Sequence, residues 1–544
     1  MHPYIPELKE QYRQGKITRR EFMRMAALLG LSMSGMATFL ASCGPAETAT
    51  PEATAVVPAT VPAGGPRRGG TLRTVNNCLR MDDIATVQWA QYNVYRNVAE
   101  FLAVTDWDNV TVPWLLESWE PSEDLLTWTL NLRHGVTFNH GLEFNADDVM
   151  FNFQRWFDPD LGCSTASLMS YLQLANVEKV DDYTVRLHLD TPQIAVPEHL
   201  YHYNNAIMPR DFEGVWHENP LGTGPFTLDE FYPEERAILT RREGYWRTGQ
   251  DGQALPYLDG IQFVALTDTA AMVAALTSGE VDMISINAAT LDALEGVPDI
   301  TISAQVSSYC PLVRMQVDAP PFDNKNVRNA IKACQDRAAI LEATYRGYGA
   351  TGEDHHVAPV HPEYCPMDIP PQDHDLARSL LAEAGYADGL EVNLAVINTE
   401  PYMTIATLLK AQCEPAGITI NLDVMPSSLY WEQWVDVDFG ITDWMHRPLG
   451  VMVLDLAYRT GVPWNETHFS NARFDELLDQ AQGTYDVEAR RELMCELQAI
   501  LKEEGGIAVP IWGAVLWAHR DAIKNFRSSP SMLILDDVWM DEEA

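Results

Sequence analysis

Two periodicities divide this chain. Where apolar and polar residues trade places at every step, one face of the backbone can be buried, and a strand is predicted. Residues 126–132 (Leu-Thr-Trp-Thr-Leu-Asn-Leu) and 184–189 (Thr-Val-Arg-Leu-His-Leu) read this way, and residues 71–76 read as an earlier strand. Where apolar residues recur every three or four positions, an amphipathic helix is predicted. Tyr92, Tyr95, Val98 and Leu102 recur so, giving a helix and turn over 88–104. Asn145-Ala-Asp-Asp148 opens a helix reaching residue 157, with Asn145 as N-cap and both aspartates in the first turn, where the helix dipole favours negative charge. Residues 226–231 and 236–241 flank Tyr232-Pro-Glu-Glu235 as a hairpin. Residues 269–278 form a helix stopped by Gly279, before a short strand at 280–284.

From Asn324 onward the pattern becomes an alternation of helix and strand. Helices are predicted over 325–342, 374–384, 402–416, 474–483 and 488–504, most of them ending at a glycine. Strands fall between them at 390–396, 419–424, 439–444 and 508–512. Such alternation makes an α/β lobe, and no repeat of solenoid period is visible.

The first 43 residues follow different rules. Arg19 and Arg20 sit in Thr18-Arg19-Arg20-Glu21-Phe22-Met23-Arg24, followed by an apolar run over 25–40 that ends in Leu40-Ala41-Ser42-Cys43. That run is short of the ~20 apolar residues a membrane span needs. A basic region, a short apolar region and a small-residue cleavage site make an export signal over 1–42. The paired arginines resemble the twin-arginine signal. Leu-Ala-Ser-Cys resembles a bacterial lipobox, which implies cleavage before Cys43 and a lipid on its thiol. The alternative is a plain amino-terminal membrane helix with a chance cysteine. The Pro-, Ala- and Thr-rich stretch 43–68 cannot bury enough surface to order itself and reads as a disordered tether.

Composition narrows the function. The chain carries a net charge of −40, and the signal segment, with six Lys or Arg against three Asp or Glu, leaves the remainder near −43. Nucleic-acid binding needs a basic face and is excluded. Lying flat on an anionic membrane is disfavoured for the same reason, so contact with a membrane is expected through the lipid anchor only. Seven cysteines remain after Cys43, widely spaced and without a Cys-x-x-Cys pair. Mostly buried free thiols are expected, with one or two bridges at most. His355, His356 and His361 raise the question of nickel or zinc. Their Pro-rich loop lacks a helical ligand spacing, so no metal and no cofactor is expected. Gly222 and Gly224 lie in a turn, because Pro225 removes an amide donor and no Lys-Ser/Thr follows. Asp147 and Asp148 read as helix-start charges rather than an acid/base pair.

A dozen segments, in order, then resemble one family. They begin with Gly69-Gly-Thr-Leu-Arg73, Pro113-Trp-Leu-Leu-Glu-Ser-Trp-Glu120, Leu132-Arg-His-Gly-Val-Thr-Phe138 and Phe144-Asn-Ala-Asp-Asp-Val149. Pro220-Leu-Gly-Thr-Gly-Pro-Phe226, Gly244-Tyr-Trp246, Pro256-Tyr-Leu-Asp259 and Leu276-Thr-Ser-Gly-Glu-Val-Asp282 follow. The last are Pro321-Phe-Asp-Asn324, Val327-Arg-Asn-Ala330, Glu383-Ala-Gly-Tyr386 and Phe474-Asp-Glu-Leu-Leu478. The chain resembles the solute-binding proteins of bacterial ABC importers, family 5, the peptide/nickel class known as cluster C. The resemblance spans residues 69–526. It implies a two-lobe α/β periplasmic-binding-protein fold with a hinge, and with an extra subdomain in the first lobe. Lobe I would comprise 69–105, 218–306 and 507–544, the subdomain 106–217, and lobe II 307–506. Crossovers near Ser307 and Ala508 would form the hinge.

The resemblance also places a ligand site. In the peptide-binding branch an Asp a few residues after a strand-end Trp pairs with the peptide ammonium. Here the residue three after Trp444 is Arg447, preceded by His446. A guanidinium is a planar fork suited to carboxylate or phosphate, so Arg447 is expected to receive an anionic group of the solute. Internal pairing with Asp443 or Asp455, or a shifted register, is the alternative. Trp444, with Trp431 and Trp464, is expected to face the cleft, with Tyr309 and Trp89 as further candidates.

The implied function is an extracytoplasmic lipoprotein of the periplasm or outer face of the cytoplasmic membrane. It would be a monomer that captures a peptide-like, acidic or saccharide solute and delivers it to an ABC permease with its ATPase. A sensing receptor without transport, or a binding protein for an oligosaccharide, is the alternative. An exported hydrolase lacks support, since no Gly-x-Ser-x-Gly, His-Glu-x-x-His or Ser-x-x-Lys set with companions is present. No enzymatic activity is expected.

Overall fold

The computed structural model describes residues 65–88 and 91–541. The export-signal arginines Arg19 and Arg20, Cys43, most of the expected tether, and Trp89 lie outside the described residues. Contacts divide the chain into two units, one holding residues up to Ser303 together with those from Leu516 onward, the other Ala304–Val515. The architecture is mixed α/β. No helix among the described residues is long and apolar enough to cross a membrane.

The first unit is built on a seven-stranded sheet. Its order is Ile300–Val306, Ala514–Arg520, Met283–Ile286, Thr71–Val75, Gly260–Val264, Arg236–Arg241, Phe226–Tyr232. Thr71–Val75 is parallel to both of its neighbours, and Arg236–Arg241 pairs with Phe226–Tyr232 as the expected hairpin. A separate four-stranded antiparallel sheet, Leu116–Pro121, Thr127–Leu132, Thr184–Leu189 and Leu172–Asp181, carries the alternating segments. Beside it lies the helix Ala146–Trp156, where Asn145 and Asp148 form a reciprocal capping box. Asp148 is buried and held by Arg210, and Asp147 pairs with Lys179, so the two carboxylates serve as structural charges.

The structure departs from expectation at several points. The aromatic period at 88–104 yields only a one-turn helix, Tyr92–Tyr95. The carbonyls of Asn97 and Val98 are taken instead by the amides of Phe226 and Gly224. Gly222 and Gly224 run so close that an added Cβ would lie 2.0 and 2.6 Å from the Val98 and Asn97 oxygens. This close approach, rather than phosphate binding, is what the two glycines serve. The single helix expected at 325–342 is two, Lys325–Ala333 and Arg337–Tyr345, because the Asp336 side chain caps a new start at the Ala339 amide. The strand expected at 508–512 splits into Ile507–Ala508 and Ile511–Trp512, interrupted by Val509 and Pro510. The strand expected at 280–284 starts later, at Met283. Arg68, inside the 43–68 stretch assigned to the tether, reaches Asp251 at 2.7 Å and the Ala254 carbonyl at 2.8 Å, so this residue is held against the first unit. Residues 507–515, assigned to the first lobe, belong to the second unit, since Ile507–Ala508 pairs with Cys310–Met315 and Ile511–Trp512 with Ala350–Thr351.

The second unit has a five-stranded sheet in the order Ile418–Met425, Leu390–Ile397, Phe439–Trp444, Cys310–Met315, Ile507–Ala508. The first three strands run parallel and Cys310–Met315 opposes them. The helices Lys325–Ala333, His374–Glu383 and Tyr402–Cys413 bury their apolar faces in one core with Leu394, Val396 and Ile441 of the sheet. Cys365 and Cys495 form a disulfide across 130 residues of chain, while Cys78, Cys163, Cys310, Cys334 and Cys413 are buried free thiols.

Candidate functional site

Three parallel strands that end together create an edge where loops converge, and open α/β sheets bind ligands at such carboxyl ends. In the second unit this edge collects the segment after Trp444, the start of the helix Tyr402–Cys413, the helix Ser427–Gln433 and the residues just before Cys310. Side chains alternate along the strand Phe439–Trp444, so Thr442 and Trp444 point one way and Asp443 the other.

On the first side a buried carboxylate organises the wall. Glu466 Oε1 accepts from Trp444 Nε1 at 2.9 Å and from Thr442 Oγ1 at 3.0 Å. Arg314 Nε lies 3.4 Å from Glu466 Oε2, an ionic contact without hydrogen-bond geometry, both side chains being shut from solvent. Burial pushes the Glu466 carboxyl up, and the Arg314 charge opposes that shift. Trp444 is only 6 % exposed, so it is a backing residue. Trp464 packs edge-on against it at 6.1 Å and is 49 % exposed. Trp431, 39 % exposed, stands edge-on to Tyr430 and Trp434 on the neighbouring helix. Met445 is 49 % exposed. The edge thus offers apolar surface to solvent at residues 431, 445 and 464.

On the second side Asp443 is half-buried. Tyr402 donates its hydroxyl to Asp443 Oδ1 at 2.7 Å, and the Tyr309 hydroxyl stands beside both groups. Burial raises the Asp443 carboxyl above its ordinary value, and the two hydroxyls work against that. Burial also raises the Tyr309 and Tyr402 phenols, with the Asp443 charge adding to it.

His446 and Arg447 leave the strand end and are tied back by Ser308. The Ser308 amide and hydroxyl meet His446 Nδ1 at 3.1 and 2.9 Å. The Arg447 amide donates to Ser308 Oγ at 2.9 Å, and the Arg447 carbonyl lies 3.0 Å from the same hydroxyl. That carbonyl also accepts from His361 Nε2 at 2.9 Å, which fixes His361 as the Nε2–H tautomer with Nδ1 accepting the Ala358 amide. The two carboxylates considered as internal partners of Arg447 have partners of their own. Asp443 is bound by tyrosines, and Asp455 pairs with Arg459.

The three loop histidines turn to three different partners. His355 meets Glu353 at 2.8 Å, His356 meets the Tyr458 hydroxyl at 2.9 Å, and His361 meets the Arg447 carbonyl. Burial pushes His356 well below its usual range, and the neighbouring positive groups add to this, so it is a neutral core residue. No group of three potential ligands that could hold a metal occurs among the described residues.

The sequence reading brought forward Tyr309, Trp431, Trp444, His446, Arg447 and Trp464, and all six fall in the second unit. It did not bring forward Tyr402, Ser308 or, as a site residue, Asp443. The available signal was Asp443 itself, a charge inside a strand whose other positions are apolar or small.

Comparison with known proteins completes the description. The family described as "Bacterial extracellular solute-binding proteins, family 5 Middle" matches residues 110–451. The glutathione-binding protein GsiB of Escherichia coli is 29 % identical over 446 residues, covering 76 % of this chain and 83 % of that one. Heme-binding protein A of Haemophilus influenzae is 27 % identical over 452 residues, covering 76 % and 80 %. The structure of the ABC transporter-associated periplasmic binding protein DppA from Helicobacter pylori, in complex with the peptide STSA, superposes with a TM-score of 0.71 at 22 % identity. That likeness covers 88 % of this chain and 99 % of that one.

Proposed function

The chain belongs to the bacterial extracellular solute-binding proteins, family 5, and from that premise we propose that it captures a peptide-like or acidic small solute and passes it to the permease and ATPase of an ABC importer. It does so without chemistry on the solute. Its place is the periplasm or the outer face of the cytoplasmic membrane, reached through the twin-arginine signal at Arg19 and Arg20 and held by a lipid on Cys43. Arg447 takes the anionic group of the solute, while Trp431 and Trp464 supply apolar contact.

The observation that carries this reading is the strand edge of the second unit. It joins solvent-facing aromatic surface to a recessed polar group at the carboxyl ends of three parallel strands. Relatives that bind glutathione and a peptide give the solute class its direction.

The test is thermal melting of the protein after unfolding, removal of bound solute and refolding. Neutral peptides, acidic peptides, dicarboxylates and oligosaccharides are compared, with Arg447→Ala beside wild type. A solute at 100 times its Kd adds about 2.7 kcal/mol of stability. An anionic solute is expected to protect wild type and not the variant. Equal protection of both proteins by neutral solutes refutes the role of Arg447.

A further inference from the structure

The turn that carries Arg447 is not held by its own sequence alone. It runs from the end of the strand Phe439–Trp444 into the helix Gly450–Ala457. The first amides of a helix need acceptors that the helix itself cannot give. A serine, threonine, aspartate or asparagine just ahead ordinarily supplies one, but the residue in that place is Leu449, whose side chain caps nothing. The acceptor comes instead from Glu363, 87 residues earlier in the chain. Its Oε1 lies 2.8 Å from the Gly450 amide and 3.4 Å from that of Val451, with the side chain shut from solvent. A carboxylate there also meets the positive end of the helix dipole. His361, two residues before it, donates from Nε2 to the Arg447 carbonyl at 2.9 Å. One short segment thus grips both ends of the turn, at 447 and at 450.

That segment is itself fastened to the helix Val487–Glu504. Cys365 forms the disulfide with Cys495. Gln498, three residues on and on the same helix face, accepts the Cys365 amide at 3.0 Å and donates to the Cys365 carbonyl at 2.6 Å. Helix, segment and turn meet at Gly450, where an added Cβ would lie 2.9 Å from Met494 Cε and Val357 Cγ1 and 3.3 Å from His361 Nδ1. Both bridged cysteines are half-buried, so a small reductant can reach them.

We propose that Glu363 and His361 are positioning residues of the solute site, and that the Cys365–Cys495 bridge fastens them, so that solute affinity depends on the redox state of the bridge. This rests on the solute-binding reading above, in which Arg447 takes the anionic group, and adds what sets Arg447 in place. A dithiol cleaves the S–S bond, leaving two protein thiols and its own cyclic disulfide. Gln498 still brackets Cys365 once the bridge is cut, so the segment loosens rather than detaches. Loss of the Glu363 carboxylate removes an acceptor from the turn directly and should have the larger effect.

The test uses the full chain in detergent and a mixture of cysteine-free acidic tripeptides. Affinity is read by native mass spectrometry, and backbone hydrogen exchange is read over 447–451. Glu363→Ala should weaken binding about tenfold, as expected for one hydrogen bond to a charged group, and speed exchange of the Gly450 and Val451 amides. Glu363→Gln, which keeps an oxygen for those amides, should recover most of the affinity. In an Arg447→Ala background, Glu363→Ala should cost little further affinity, because the group it positions is gone. Dithiothreitol, or Cys495→Ser in its place, should weaken binding by a smaller factor, and reoxidation should restore it. An equal loss from Glu363→Ala in both backgrounds, or unchanged affinity, overturns the positioning role. Affinity and exchange unchanged by reduction overturn the part given to the bridge. Binding of no tripeptide by wild type, or undiminished binding by Arg447→Ala alone, overturns the underlying reading; exchange at 450–451 then still shows whether Glu363 holds the turn, which tells the two failures apart.

Discussion

Replacing Glu466 by Gln changes one atom of a buried pair and leaves the shape of the site intact. The amide oxygen can still accept from Trp444 Nε1 and Thr442 Oγ1, which lie 2.9 and 3.0 Å from Oε1. The other atom becomes an NH2 facing Arg314 Nε across 3.4 Å, so two donors meet where an ion pair stood. At an effective dielectric of about 20 the lost attraction is roughly 5 kcal/mol. The Arg314 guanidinium stays charged, but its other nitrogens donate to the Val437, Trp434 and Glu466 carbonyls, which offsets part of the loss. Breaking one side of a buried pair costs about 3–5 kcal/mol in general, and the carbonyl cage puts this variant at the lower end, about 3–4 kcal/mol. Urea unfolding at neutral pH reads it, followed by near-ultraviolet circular dichroism of the indoles. With an m-value of about 2–3 kcal/mol/M, the midpoint of the second unit should fall by about 1–2 M. A cycle with Arg314→Met isolates the pair. Its coupling energy should be about 2–4 kcal/mol, and a value below about 0.5 kcal/mol refutes the claim that this charge pair holds the Trp444 wall.

Two further outcomes follow from the same geometry. Ser308→Ala removes the Ser308 acceptor of the Arg447 amide in a part-buried position, which should cost about 1–2 kcal/mol and speed amide exchange at 446–447; unchanged exchange would show that the loop is held by something else. Lys332 donates to the Lys502 and Gly505 carbonyls at the end of the helix Val487–Glu504. Burial pushes it down to about 8, Asp354 pulling the other way. Below pH 8 both folded and unfolded chains carry this proton and the burial penalty is complete. Between about 8 and 10.5 the unfolded chain binds more protons, so stability should rise with pH, by on the order of 3 kcal/mol. Lys332→Met should abolish that rise relative to wild type in urea titrations at a series of pH values.

Much of the fold was legible because its signals are local. Alternation over 126–132 and 184–189, the Asn145 cap and the Gly279 stop each report on a few neighbouring residues, and each reappears in the structure. What failed was set by distant chain. The aromatic period after residue 88 promised a helix, but the amides of Gly224 and Phe226, more than a hundred residues away, take the carbonyls that helix needed. The return of residues 507–515 to the second unit is a pairing choice of the Ile507–Ala508 strand, invisible to its own composition. At the site, the order Trp444-Met-His-Arg447 could be read directly, but the company of Asp443 could not. Tyr309 and Tyr402 approach it from 134 residues before and 41 before, brought together by sheet order alone.

The central claim is capture without chemistry, and the solute itself tests it most directly. The protein is incubated with a mixture of tripeptides, dicarboxylates and oligosaccharides, separated from free solute, and denatured in acid. Mass spectrometry then counts and weighs what it releases. The account predicts one solute per chain, of peptide-like or acidic kind, with the mass it had before binding. Release of a cleaved or otherwise altered molecule, or of none at all, would contradict it.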